Sequence, residues 1–275
     1  MKEKTNKKLV SILISTYNDS LFIKETISSV QNQKYTNWEL IIIDDASTDN
    51  AAEIIKTISE QDKRILFYQN KSNKGLIANL NLGAEMAKGE YIARIDGDDV
   101  WVDRDKIGKQ VNLLDGNKEL TLIGTWANRI DSIGNFLSTV KYPIVEADIR
   151  NYLAIENCFI NSSVMFTKSA FQLAHGYEKQ FLYCEDYTLW LKMGNLGKLA
   201  NIPEFMVSYR INPNGISNTK YRAQIENTIR TLKKYGTEYP NYTYGLFLWY
   251  IRNVLPKSIR ENLSKIVRET LFFAK

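Results

Sequence analysis

Two cysteines, one histidine and five prolines in 275 residues leave several chemistries without material. Cys158 and Cys184 are too few for a disulfide framework and are not spaced as a zinc site, so two inert thiols are expected. A reducing cytoplasm is then the default compartment. His175 stands without a partner motif, which assigns it a loop or packing role. G-x-G-x-x-G, Walker A and G-x-S-x-G patterns are all missing, which argues against a dinucleotide enzyme, an NTPase and an α/β-hydrolase. Long apolar runs are missing too. LFLWYI at 246–251 falls far short of the roughly 20 residues that cross a bilayer. The basic MKEKTNKK precedes LVSILIST, but that stretch is short, carries Ser11 and Ser15, and runs into YND without a small-residue cleavage site. It reads as a first β-strand and not as a signal peptide.

What is present is ordinary globular material, 44% hydrophobic and 24% charged, in a chain long enough to bury a substantial core. The net charge of +5 is unevenly placed. From Lys220 onward there are eleven Lys and Arg against four Glu, an excess of seven that leaves −2 for residues 1–219. A basic tail suits an anionic surface. No nucleic-acid module accompanies it, so nucleic acid is not an expected partner.

The first half alternates short apolar runs with helix-period segments, the pattern of βαβ units around a mostly parallel sheet. Strands are expected at 9–15, 38–44, 65–68 and 91–95. Helical spacing follows at Ile23, Ile27 and Val30, over 51–58, and at Leu76, Leu80 and Ala84. WELIIID at 38–44 is continuous in Ile, as a strand buried on both faces would be. In the second half, strands are expected at 121–126, 136–142 and 162–167, and a helix within 182–193. From 220 onward the pattern is mostly helical, ending in an amphipathic stretch after Pro256 with a capping-box spacing from Ser258 to Glu261.

Polar clusters fall after three of the first four strands: STYND, DDASTD and DGDD. Open α/β sheets bind ligands outside the carboxyl ends of their strands, so the three can converge on one pocket. If the extended conformation persists through Gly97, Asp96 and Asp98 lie on one side and suit Mg²⁺ or Mn²⁺, which prefer oxygen ligands. A D-x-D alone reads equally as a solvated acidic turn. Asp44 and Asp45 read either as turn or cap residues or as acceptors for a nucleobase or ribose. Glu185-Asp186 reads as first-turn acids favoured by the helix dipole, or as a general base for a sugar hydroxyl.

Taken in order, ILISTYND, ELIIIDDASTD, NKGLIANLNLGAEMAKGEYIARIDGDDVW and CEDYTLW closely resemble glycosyltransferase family 2, inverting enzymes of the GT-A fold. The resemblance covers roughly residues 8–215, and it includes the YRINPNGISN stretch. It implies a GT-A domain over residues 1–219, a Rossmann-like α/β sheet flanked by helices, and a basic C-terminal helical extension over 220–275. It further implies that Thr16 and Tyr17 line the base and that Asp44 or Asp45 holds the base or ribose. Gly75 lets the backbone approach the nucleotide, Arg94 lies just upstream of the acidic run, and Asp96 contacts the ribose side of the donor. Asp98 matches the metal position for Mn²⁺ or Mg²⁺, and Asp186 matches the catalytic base, with Glu185 beside it.

The implied reaction moves one sugar from a nucleotide-diphosphate donor, a UDP-sugar by expectation, to a hydroxyl of a glycan or lipid-linked saccharide in cell-surface polysaccharide synthesis. A catalytically silent sugar-nucleotide-binding or scaffold protein of the same fold is the alternative. A cytoplasmic protein with peripheral contact at the inner membrane face, through the C-terminal helix, is expected. Asn212 departs from the His that the family often carries after YR. The processive Q-x-x-R-W motif is absent.

Overall fold

The computed structural model describes residues 7–211, 219–256 and 259. Three parallel βα units open the chain: β1 (Val10–Thr16), α1 (Ile23–Gln31), β2 (Trp38–Asp44), α2 (Ala51–Gln61), β3 (Ile65–Gln69) and α3 (Leu76–Met86). β4 (Tyr91–Arg94) pairs parallel with β1, giving the order β3-β2-β1-β4. Alternation sorts the apolar side chains. Ile12, Ile14, Leu40 and Ile42 enter the core beneath α1 and α2, while Leu13, Ile41 and Ile43 enter the core on the α3 face. Burial on both faces explains why β2 reads as a continuous Ile run. Each such Ile is worth roughly 1.5–3 kcal/mol. Ser11 is tolerated inside because its Oγ donates to Glu39 (2.6 Å) and accepts from the Gly89 amide (2.8 Å).

Beyond β4 the sheet turns mixed. β5 (Val100–Trp101), α4 (Lys106–Gly116), β6 (Leu120–Ile130) and β7 (Phe136–Val140) follow, then α5 (Glu146–Leu153), β8 (Met165–Thr167), α6 (Lys168–Leu173), α7 (Glu185–Gly194) and β9 (Lys198–Arg210). The order continues β4-β8-β6-β9-β5, with β7 on β6. β8 is antiparallel to β4, which sets the second half beside the first in one sheet. Two helices close the described chain, α8 (Tyr221–Tyr235) and α9 (Tyr242–Val254).

Three expectations need correction. Residues Asn161–Ser163 form a 3₁₀ turn, so the strand expected at 162–167 is only its last three residues. The long β9 escaped notice because Pro203 interrupts it. Thr125 and Trp126 on β6 face Ile202 and Phe205, so Pro203 sits in a bulge where no ladder amide is required. The extended conformation also does not run through Gly97: β4 ends at Arg94, and the Asp99 amide closes a turn on the Asp96 carbonyl at 3.2 Å. Both cysteines are free and buried, and His175 is an exposed residue in the turn after α6. No described helix is long and apolar enough to cross a membrane. The amphipathic stretch after Pro256 and the departure at Asn212 lie outside the described residues, apart from Ile259.

Candidate active site

The polar clusters do meet, at the carboxyl ends of β1, β2 and β4. Asn18, in the left-handed region at φ 61°, gives its amide to Ser47 Oγ (2.9 Å) and accepts from the Thr48 amide (2.8 Å). The Ser20 amide donates to Asp49 (2.9 Å), so the loops after β1 and β2 are stitched together. Asp44 is fully enclosed, and both its oxygens accept from Ser47, from the amide and from the hydroxyl. Asp45 accepts from the Lys74 amide (2.7 Å), the Gly75 amide (2.9 Å) and Asn70 (2.8 Å). Burial would raise its carboxyl, but these hydrogen bonds outweigh that and hold it below the ordinary range. Asp45 thereby ties the NKG loop to β2. Gly75 takes φ 85° at the start of α3, a conformation that side chains with a Cβ disfavour. The Tyr17 ring, 49% exposed, stands open above this loop cluster, while Thr16 donates to Asp19 at 2.7 Å.

The DGDD turn divides its acids by burial. Asp99 is enclosed: it accepts from Ser162 Oγ and from the Arg210 amide (2.8 Å), so it locks the turn to the 3₁₀ segment and to the end of β9. Arg210 adds a bond from Nε to the Asp98 carbonyl (2.8 Å) and an ion pair to Glu25 (2.8 Å). Gly97 is required because Asp19 backs onto it; a Cβ there would lie 2.5 Å from Asp19 Oδ2. Burial raises the Asp98 carboxyl well above the usual range, and the charges of Asp96 and Asp19 add to the rise.

A divalent cation fits that surplus of negative oxygen. Among the described residues no three His, Cys, Asp or Glu gather into a full protein cage.

Arg94 joins the two halves. It has 0% exposure, lies over the Tyr177 ring at 6.0 Å, and pairs with Asp96. Its charge therefore reaches the rest of the cluster through the Asp96 carboxylate. Burial works against its charge, and Asp96, Tyr177 and Glu185 outweigh it. Glu185 opens α7 nearly buried, with Oε2 making no hydrogen bond among the described residues. Burial first and Asp186 second push its carboxyl up to about 7. Asp186 keeps partial exposure; the Tyr187 amide donates to Oδ1 at 2.6 Å and Asn157 Nδ2 to Oδ2 at 3.3 Å. Burial raises its carboxyl too, against the pull of the Tyr187 amide and Arg94.

Sequence reasoning passed over Asn157, Asn161 and Ser162. Asn161 reaches Asp96 Oδ2 at 3.1 Å, and Ser162 Oγ accepts from the Asp96 amide at 2.9 Å. Their one legible signal is polar density in an otherwise apolar ENCFINSS. Asp19 too comes beside Asp96 and Asp98 only in the folded loop.

The family model described as glycosyl transferase family 2 matches residues 11–173. An uncharacterized glycosyltransferase of Haemophilus influenzae is 33% identical over 263 residues, covering 90% of this chain and 79% of that protein. The Escherichia coli protein named UDP-Glc:alpha-D-GlcNAc-diphosphoundecaprenol beta-1,3-glucosyltransferase WfaP is 31% identical, covering 90% of this chain and 94% of that one. In structure, the chain is similar to the mannosyltransferase PcManGT from Pyrobaculum calidifontis in complex with GDP-Man and Mn²⁺. The TM-score is 0.68 at 16% identity, over 98% of this chain and 77% of that one. Staphylococcus aureus TarS 1–349 in complex with UDP-GlcNAc also gives a TM-score of 0.68, at 13% identity, over 86% of this chain and 69% of that one. The fold is of the GT-A type, and the chain belongs to glycosyltransferase family 2.

Proposed function

We propose that the protein transfers a single sugar, with inversion, from a nucleotide-diphosphate sugar to a hydroxyl of a lipid-linked saccharide or glycan. One observation carries the reading. The buried Arg94 guanidinium stands between Asp96, beside the cation position, and Glu185-Asp186, whose carboxyls are raised toward neutrality. A carboxylate with a raised pKa is a competent acceptor for a hydroxyl proton near pH 7. A UDP-sugar donor and a lipid-diphosphate acceptor are favoured by the names of the E. coli relatives. Such an acceptor would bring the protein to a membrane surface, where its basic tail meets anionic headgroups.

The residues divide the work. Tyr17 offers a ring for stacking on the base beside Thr16, and Asp44 and Asp45 shape the base and ribose pocket, Asp45 by fixing the loop that ends at Gly75. Asp98, with Asp96 beside it, would hold Mn²⁺ or Mg²⁺, which when bound neutralises charge on the departing diphosphate. Asp186 takes the proton of the acceptor hydroxyl as that oxygen attacks the anomeric carbon from the side opposite the diphosphate. The bond from the anomeric carbon to the diphosphate oxygen breaks, its electron pair leaves with the nucleotide, and the configuration inverts. Glu185, tucked behind, lies against the base, and Arg94 offsets the repulsion between these carboxyls and Asp96.

The test is a thermal-shift screen of UDP-sugars with and without Mn²⁺, followed by transfer assays. Asp98→Ala should lose the Mn²⁺-dependent shift together with turnover. Asp186→Asn should keep the shift and lose transfer by about 10³-fold or more, a scale set by general-base contributions. Binding without turnover in the wild type would instead identify a catalytically silent protein of the same fold.

A further inference from the structure

The family model ends at residue 173, before Glu185-Asp186 and before both C-terminal helices. Those helices nonetheless grip the two segments that form the base site. From α8, Asn227 Nδ2 donates to the Leu182 carbonyl (2.7 Å), Thr228 Oγ1 lies 3.4 Å from Cys184 Sγ, and the hydroxyls of Thr231 and Thr188 are 2.7 Å apart. These contacts flank Glu185-Asp186 on both sides in sequence. From α9, Trp249 Nε1 donates to the Ile155 carbonyl at 2.7 Å, and Leu248 packs on Ile155. Gly245 permits that approach; a Cβ there would stand 2.0 Å from the Ala154 carbonyl oxygen. Two residues beyond Ile155, Asn157 receives the Phe159 amide on Oδ1 (3.1 Å) and gives Nδ2 to Asp186 Oδ2 (3.3 Å).

We propose that the C-terminal helices are part of the base machinery, and that Trp249 is a positioning residue acting on Asp186 through Ile155 and Asn157. The proposal rests on the reading of Asp186 as the base. The physical argument is geometric. Asp186 Oδ1 is pinned by the Tyr187 amide at 2.6 Å, so the rotation of the carboxylate depends on what holds Oδ2. The Asn157 bond that holds it is long, at the outer edge of useful hydrogen-bond geometry. A shift of a few tenths of an ångström in the turn at 155–157 therefore decides whether it forms. At the Ile155 carbonyl a side chain from α9 supplies a hydrogen bond to that turn directly. Reactions that depend on aligned groups lose rate steeply with small misplacement.

The decisive variant is Trp249→Phe, which keeps an aromatic ring against the loop and removes only the indole N–H. Amide hydrogen exchange is followed across residues 154–162, alongside release of UDP from UDP-glucose with Mn²⁺. Exchange at 155–158 should quicken severalfold. Turnover should fall about tenfold at unchanged KM for the donor and unchanged melting temperature, a loss typical of misplaced catalytic groups. Asn157→Ala should give a similar fall, and the double variant no further one, since both act through one bond.

Wild-type exchange rates in Trp249→Phe overturn the proposal whatever the turnover. Faster exchange with wild-type turnover overturns it as well, and so does full additivity with Asn157→Ala. If Asp186→Asn turns over like the wild type, the base reading falls, and with it Trp249 as a residue acting on the base, even where the exchange data still show α9 holding the loop. If the wild type releases no UDP, UDP-glucose falls as donor, and turnover is measured instead with the nucleotide sugar that gives the largest Mn²⁺-dependent thermal shift.

Discussion

The proposed nucleotide side and the proposed base side of this site treat their carboxylates in opposite ways. Asp44 and Asp45 are saturated by amides and hydroxyls, and Asp45 is held below its ordinary pKa. Glu185 is buried beside the partly exposed Asp186, with fewer donors, and both are raised. The first arrangement stabilises the fold as it shapes a pocket. The second costs stability and keeps both carboxyls raised, the direction that suits proton-transfer groups. On the proposed reading, the contrast separates acids that build the site from the acid that reacts in it and its neighbour.

Removing a builder should therefore cost the most stability. Asp45→Ala strands the amides of Lys74 and Gly75 and the Asn70 side chain, all within 2.9 Å of the lost oxygens. Hydrogen bonds to a charged acceptor contribute enough that a loss of about 3 kcal/mol is expected. In a chain of this size that is a fall of roughly 6–10 °C in melting temperature. Nucleotide affinity should fall with it, because the NKG loop loses its anchor. Calorimetry and a UDP titration on the same sample check both, and an unchanged melting temperature would dissolve the contrast.

A poised acid should behave in the reverse sense. Glu185 has a folded pKa of about 7, above that of a free glutamate, so between about 4.5 and 7 the native state binds a proton that the unfolded chain has released. Its contribution to stability is fully present below pH 4.5 and is lost as pH rises through 7. Glu185→Gln, neutral at every pH, should match the wild type near pH 4 and exceed it at pH 8 by roughly 1–3 kcal/mol. Urea unfolding at the two pH values measures the difference. A wild type whose stability rose from pH 5 to 8 by virtue of this residue would reverse the sign.

The two sides also differ in how much of them can be read in the sequence. β1, β2 and β4 and the spacing of α1 to α3 are legible because β-branched runs and helical periods state local geometry directly, and the acids at their ends inherit a place from them. The base side depends on contacts over long separations. Asn157 reaches Asp186 across 29 positions and Trp249 reaches Ile155 across 94, and no local pattern announces either. β9 was hidden for a local reason, the Pro203 bulge, and DGDD stayed open between an extended segment and a turn because the residues that fold it, Asp19, Ser162 and Arg210, are remote.

The smallest effect belongs to an acid that builds without belonging to either side. Glu178 sits between α7 and α8, accepting from Lys192 at 2.9 Å, Lys234 at 3.2 Å and Tyr235 Oη at 2.5 Å. Burial would raise its carboxyl, but the bonds from Tyr235, Lys192 and Gln180 prevail and bring it down to about 2. Its stabilisation is thus present above about pH 4.5 and is lost as pH falls toward 2, the reverse of Glu185. Part of that advantage is screened by solvent, so Glu178→Gln should cost about 1 kcal/mol at pH 7 and only a small part of that at pH 2.5. Denaturant midpoints at the two pH values read it. Since the residue touches α7 and α8 away from the Asn157 bond, donor KM should stay at its wild-type value. A change in KM would mean that the attachment of α8 reaches the nucleotide side, and the division between building and reacting acids would have to be redrawn around the helices.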